Sequence, residues 1–222
     1  MMVFWMPVIT LLRKEFRQEI RSRVALNGLA LFVVILVALI AFSTGGADLS
    51  PVMFFSLMWL GLFFSSMVGL SRSFVAESDQ GTLDFLTFLA RPSQIFLSKF
   101  LFNVGMAVSV SFLILLLFLF FFNPPVVRWD WFLPGLIAGS VAITSATTFL
   151  SALVALSDAR GTLFPVLAVP VLIPLIMVLV QFTRLCLGAG SPDRIFEPAG
   201  VILAYTGVMI TGSLLLFDWI WN

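Results

Sequence analysis

The chain of 222 residues has no histidine, a single cysteine (Cys186) and only 10% charged residues. Each shortage excludes something. Without histidine this chain cannot hold a haem iron through an imidazole ligand. A zinc site of the usual Cys/His kind lacks its ligands, and the nine methionines, set in apolar runs, read as packing. One cysteine rules out an intramolecular disulfide. No GxxxxGK[ST] occurs, so the chain has no phosphate-cradling loop of its own and is not expected to hydrolyse ATP or to be an enzyme. No metal site, bound cofactor or nucleic-acid partner is expected. A soluble domain carries about 25% charged residues. The low charge here, with 61% hydrophobic residues and a mean hydropathy of +1.14, points to lipid.

What the chain does have is long apolar runs. About 20 such residues cross a bilayer core of ~30 Å as helix. Six spans are read at roughly 25–43, 51–71, 100–122, 134–156, 163–182 and 199–219. The runs are continuous, whereas barrel strands alternate apolar and polar residues. The fold class is therefore all-α integral membrane, with six transmembrane helices in one domain, 1–222. The start, "MMVFWMPVIT", lacks the basic segment of a cleaved signal, so the first run is expected to stay as an anchor.

Orientation follows Lys and Arg in the loops. Arg13, Lys14, Arg17, Arg21, Arg23, Arg72, Arg91, Lys99 and Arg160 fall on one side, and Arg128, Arg184 and Arg194 on the other. That asymmetry puts both termini in the cytoplasm. Trp129, Trp131, Trp219 and Trp221 stand at span ends, at headgroup level. Within 8–24, Ile9, Leu12, Phe16, Ile20 and Val24 form one helical stripe, with Arg13, Arg17 and Arg21 beside it. That pattern predicts an interfacial amphipathic helix, apolar face down and cations near anionic lipid. Glu15 and Glu19 are expected to pair weakly with neighbouring cations.

No span carries an ionisable residue near its middle, which disfavours ion-gradient coupling, and no selectivity filter is visible. The amides Asn27, Asn103 and Gln181 sit near span ends. Small residues recur at helix-contact spacing: Gly61, Ser65 and Gly69; Gly135 and Gly139, then Ser140 through Ser145, Thr147, Thr148 and Ser151; and Gly200, Ala204, Gly207 and Thr211. Packing within one chain explains them, as does a dimer seam or a substrate path. In span 5, Pro165 suits a first helical turn. Pro170 and Pro174 lie inside, where each removes a hydrogen bond, so span 5 is expected to be kinked or locally unwound.

The polar loops echo each other: "AESDQGTLDFL" at 76–86 and "LSDARGTLFP" at 156–165. In the first, 72–99, Glu77 and Asp79 precede Gly81, Thr82 caps a short apolar helix through Leu83, Phe85 and Leu86, Arg91–Pro92 ends it, and Lys99 marks re-entry to the membrane. An exposed helix that apolar needs a partner surface or lipid. In the second, Asp158, Arg160 and Gly161 form a tight turn.

This arrangement resembles the membrane subunits of ABC-2-type exporters. "RSFVAESDQGTLDFL" and the proline-spaced "LFPVLAVPVLIPLI" at 163–176, with the size and six spans, are similar to the haem exporter protein B family. The resemblance implies a membrane subunit of the cytochrome c maturation complex in a bacterial inner membrane, or else an organellar one. It implies a separate cytoplasmic ABC ATPase docking at 77–92, with two copies of each chain. A haem-handling membrane protein, a small single-span protein and an outer-face haem chaperone complete the expected partners. ATP would sit on the partner subunit and haem would be cargo of the complex. An exporter permease for another hydrophobic cargo, or a membrane scaffold, fits the same residues.

Overall fold

The computed structural model describes residues 2–22, 24–45, 49–70, 90–122, 128–155, 160–187 and 192–220. Among them the regular structure is helical: α1 (Met2–Ser22), α2 (Val24–Ser43), α3 (Pro51–Ser65), α4 (Pro92–Phe121), α5 (Trp129–Val154), α6 (Arg160–Cys186) and α7 (Phe196–Ile220). Helices α2 to α7, six in number, are long and apolar enough to cross a membrane once the turn after α3 is included. The chain is thus a multi-pass helical membrane protein, as its composition requires.

Starts and stops follow local chemistry. Ser50 caps α3, its hydroxyl oxygen accepting from the Met53 N–H at 3.3 Å. Pro51 stands at the first helical position, where its missing N–H costs nothing. The helix ends in a wider π turn, Ser66–Leu70, directly before residue 71. Helix α4 opens in the same way as α3. Arg91 is its cap residue, Pro92 its first, and the Arg91 N–H donates to the Gln94 side-chain oxygen at 3.1 Å.

The helix of the third span begins before the expected start. It was expected from residue 100, with Arg91–Pro92 closing a short helix and Lys99 marking re-entry. In the structure Arg91–Pro92 opens α4, which runs 30 residues, about 45 Å at ~1.5 Å per residue. That exceeds a core of ~30 Å by about ten residues. Lys99 and Asn103 therefore sit inside the helix, past its first turns, and the excess leaves room for a span that begins near residue 100.

Helix α5 is the centre of the bundle, packed by α4, α6 and α7 and by the π turn after α3. Glycine makes these approaches close. A Cβ on Gly139 would stand 2.5 Å from the Trp59 ring and 2.7 Å from Leu179, and one on Gly135 would run into the Phe182 ring. Trp59 is fully buried there, in an apolar setting of Met58, Leu62, Ile114 and Leu136 beside Ser111. Its indole N–H has no hydrogen-bond partner among the described residues.

The hydroxyl-rich run of α5 is internal. Ser140, Thr144, Ser145, Thr147, Thr148 and Ser151 are all buried within the chain. Most bond back to their own helix: Ser140 donates to the Leu136 carbonyl at 2.7 Å and Thr144 to that of Ser140 at 2.7 Å. Gly61 likewise faces Leu36 and Ile114, and Gly69 faces Leu29. Packing within one chain accounts for α3 and α5. On α7, Gly200, Ala204, Gly207 and Thr211 face outward instead.

Helix α6 runs unbroken through Pro165, Pro170 and Pro174. Of the kink or local unwinding expected at Pro170 and Pro174, the unwinding does not occur. Tyr205 on α7 donates its hydroxyl to the Val171 carbonyl at 3.1 Å, on the turn between the two interior prolines.

Candidate functional site

The helix ends that flank both polar loops lie at one end of the bundle. Ile95, Phe96 and Phe100 of α4 pack with Ala152 and Ala155 at the end of α5. Leu11 of α1, and Ile210 and Leu214 of α7, close over them. Segment 71–89 runs into α4 here, and 156–159 leaves α5 here. Glu77, Asp79, Gly81, Thr82, Leu83, Phe85, Leu86 and Asp158 lie outside the described residues. Arg91 and Pro92 start α4, and Arg160 and Gly161 form the first turn of α6, whose backbone alone is described.

Helix α1 binds this end through a stripe that the sequence reading did not single out. Val8 and Leu11 face inward, one buried and one half-buried, and Glu15 and Glu19 continue the same face at helical spacing. Glu15 Oε1 lies 2.9 Å from Lys99 Nζ on α4 and 3.7 Å from Lys14 Nζ. The Lys99 side chain is 2% exposed and that of Glu15 is 13% exposed. Phe16 meets Phe102 edge-on at 5.1 Å between centroids. So the pairing of Glu15 extends past its neighbour Lys14 to a buried cation 84 positions away. Glu19 accepts from the Leu26 backbone N–H in the first turn of α2. Burial pushes the Glu19 carboxyl up, Glu15 adds to that, and the Leu26 N–H pulls the other way.

Of the expected apolar and basic stripes, Leu12 is half-buried and the side chains of Arg21 and Val24 lie outside the described residues. Ile9, Phe16 and Ile20 are exposed apolar residues, and Arg13 and Arg17 are exposed beside them.

One turn beyond Lys99, buried Asn103 donates its side-chain N–H to the Thr148 hydroxyl of α5 at 3.0 Å. Glu15, Lys99, Asn103 and Thr148 thus form a buried polar line from α1 through α4 into α5. The signal was in the sequence. Lys99 and Asn103 stand four apart, on the same helical face. At the opposite end, Arg128 lies 5.8 Å from the Trp131 ring centroid, and Trp131 meets Phe196 at 5.2 Å. No group of three His, Cys, Asp or Glu side chains among the described residues is placed to hold a metal ion. This geometry offers mechanical and electrostatic linkage between helices.

Residues 6–216 match the family described as CcmB protein. The chain belongs to that family. It is 26% identical over 178 residues to heme exporter protein B of Rhodobacter capsulatus, covering 78% of this chain and 81% of that one. It is also 26% identical over 179 residues to heme exporter protein B of Bradyrhizobium diazoefficiens, covering 76% and 79%. No solved structure matches it.

Proposed function

We propose that this CcmB-family chain is the membrane subunit of an ABC-type complex in cytochrome c maturation. It would serve haem export and release of the outer-face haem chaperone, from a bacterial inner membrane with both termini in the cytoplasm. Family membership across 6–216, with relatives named heme exporter protein B, carries this reading. The Lys/Arg asymmetry supports the orientation.

In this reading the chain hydrolyses nothing. A separate ATPase docks at 77–92, and its closure moves α4, into which that loop feeds. The buried line from Lys99 to Thr148 passes the movement to central α5, and α6 and α7 carry it to the outer face. Helix α1 lies on the bilayer, with Ile9, Phe16 and Ile20 in the acyl boundary and Arg13 and Arg17 at anionic headgroups. Two copies of the chain, a haem-handling membrane protein and a small single-span protein complete the assembly. Haem is cargo of the complex rather than a ligand of this histidine-free chain.

Deletion tests the reading. Loss of all c-type cytochromes, rescued by this gene, is the expected result. Intact cytochromes would overturn it and favour a permease for another hydrophobic cargo. The purified chain alone should give no stoichiometric Soret band, and a saturable one would contradict the mechanical role.

A further inference from the structure

We propose that Glu15 and Lys99 clamp α1 to the first turns of α4, so that α1 and residues 92–105 move as one body. The proposal rests on the reading that force enters through the loop before α4. It adds a second output for that force: the interfacial helix, and through it the start of α2.

The contacts are of the kind a clamp needs. Lys99 is buried as deeply as the aromatic core, so its ammonium has exchanged water for the Glu15 carboxylate at 2.9 Å. A buried ion pair of this sort adds little net stability compared with apolar packing, yet losing one partner is strongly destabilising locally. Its attested use is to fix one register of packing among several. Such a fixing contact matters here because the flanking contacts include nondirectional apolar ones, as of Leu11 against the cluster of Ile95, Phe96 and Phe100. Phe16 against Phe102 adds a second fixed point about one helical turn further along α4 from Lys99. From the same face of α1, Glu19 accepts at the first turn of α2. Helix α1 is thus tied by one carboxylate to α4 and by the next, one turn on, to α2. A displacement of the α4 start must drag an amphipathic helix through the headgroup layer and tilt the start of α2 with it.

The test uses the complex isolated through this chain, with nitroxide labels at Gln18→Cys on α1 and Leu101→Cys on α4. Both positions are exposed, and the native Cys186 is buried. A clamp predicts one narrow inter-label distance, the same with and without ATP. It predicts a broad distribution in Glu15→Gln, which keeps the side-chain shape and removes the charge. The swapped pair Glu15→Lys with Lys99→Glu should narrow it again. A distance that shifts with ATP, or stays narrow in Glu15→Gln, would overturn the clamp. If Glu15→Gln does not accumulate, Lys99→Arg provides the second arm. It keeps the charge, so a broad distance there also counts against the proposal. The underlying reading fails separately: its signature would be Asp79→Asn and Gly81→Val complexes that mature cytochromes normally, whatever the labels show.

Discussion

The Tyr205 hydroxyl of α7 donates to the Val171 carbonyl of α6 across 3.1 Å, on the turn between Pro170 and Pro174. Pro174 has no N–H for the carbonyl one turn before it, and its ring crowds that turn. In a membrane, carbonyls loosened this way are satisfied by neighbouring helices. The carbonyl left without that N–H is Pro170's; the only tyrosine of the chain bonds the adjacent Val171 carbonyl and so ties the same turn to α7. Tyr205→Phe should cost about 1 kcal/mol, the usual worth of one such bond, read as a lower unfolding midpoint in detergent. It should also raise amide exchange at the turn around Val171. No change in either would mean that α6 carries its prolines unaided.

Glycine sets the spacing around α5. A methyl at Gly135 or Gly139 meets the buried rings of Phe182 or Trp59, which have nowhere to go. Gly135→Ala and Gly139→Ala should each destabilise by about 1–3 kcal/mol, the range for overpacking a filled core. Gly200→Ala and Gly207→Ala, with nothing within 4 Å, should be nearly silent for the isolated chain. Thermal unfolding of the four variants side by side checks the contrast.

Asn103 and Thr148 form one unit between α4 and α5. Asn103→Leu and Thr148→Val each remove this bond from one side, while the double change removes both groups. A double-mutant cycle should return a favourable coupling of about 0.6–1.7 kcal/mol, as measured for polar pairs in helical membrane proteins. Additive costs would show that the bond at 3.0 Å contributes nothing.

Glu19 makes stability depend on pH. Its carboxyl is pushed above the ordinary value of 4.5, chiefly by burial and then by Glu15. An acid raised on folding favours the folded state while protonated. Its contribution is fully present below the unfolded pKa and is lost as pH rises through the folded one. Glu19→Gln, neutral throughout, should match the wild type at pH ~4 and be the more stable of the two at pH ~7. It keeps an acceptor for the Leu26 N–H. Equal stability at both pH values would show that burial of the charge has no effect.

The sequence made some of this legible and hid the rest, for physical reasons. The spans were plain, because lipid demands unbroken apolar runs. The start of α4 was misplaced because a proline ends one helix and begins another equally well, and Pro92 does the latter. Lys99 looked like a boundary marker. Its burial depends on Glu15, 84 positions away, which no local pattern shows. On α1 the lipid-facing and basic stripes stood out by composition. The docking stripe of Val8, Leu11, Glu15 and Glu19 mixes apolar and acidic residues and carried no single signature. A kink or local unwinding at Pro170 and Pro174 was the local expectation; the helix is unbroken there, and Tyr205 of α7 contacts the same turn. The ATPase-coupling residues Glu77 to Leu86, and Asp158, lie outside the described residues, so that assignment stays with the resemblance.

The central claim is that ATP hydrolysed by another subunit acts through this chain. The most direct measurement is ATP turnover in the complex isolated from membranes through a tag on this chain. The account predicts a co-purifying ATP-binding subunit, with hydrolysis sensitive to vanadate, and loss of coupling to cytochrome maturation in the Gly81→Val complex. A stable, functional complex with no ATP-hydrolysing component would contradict it.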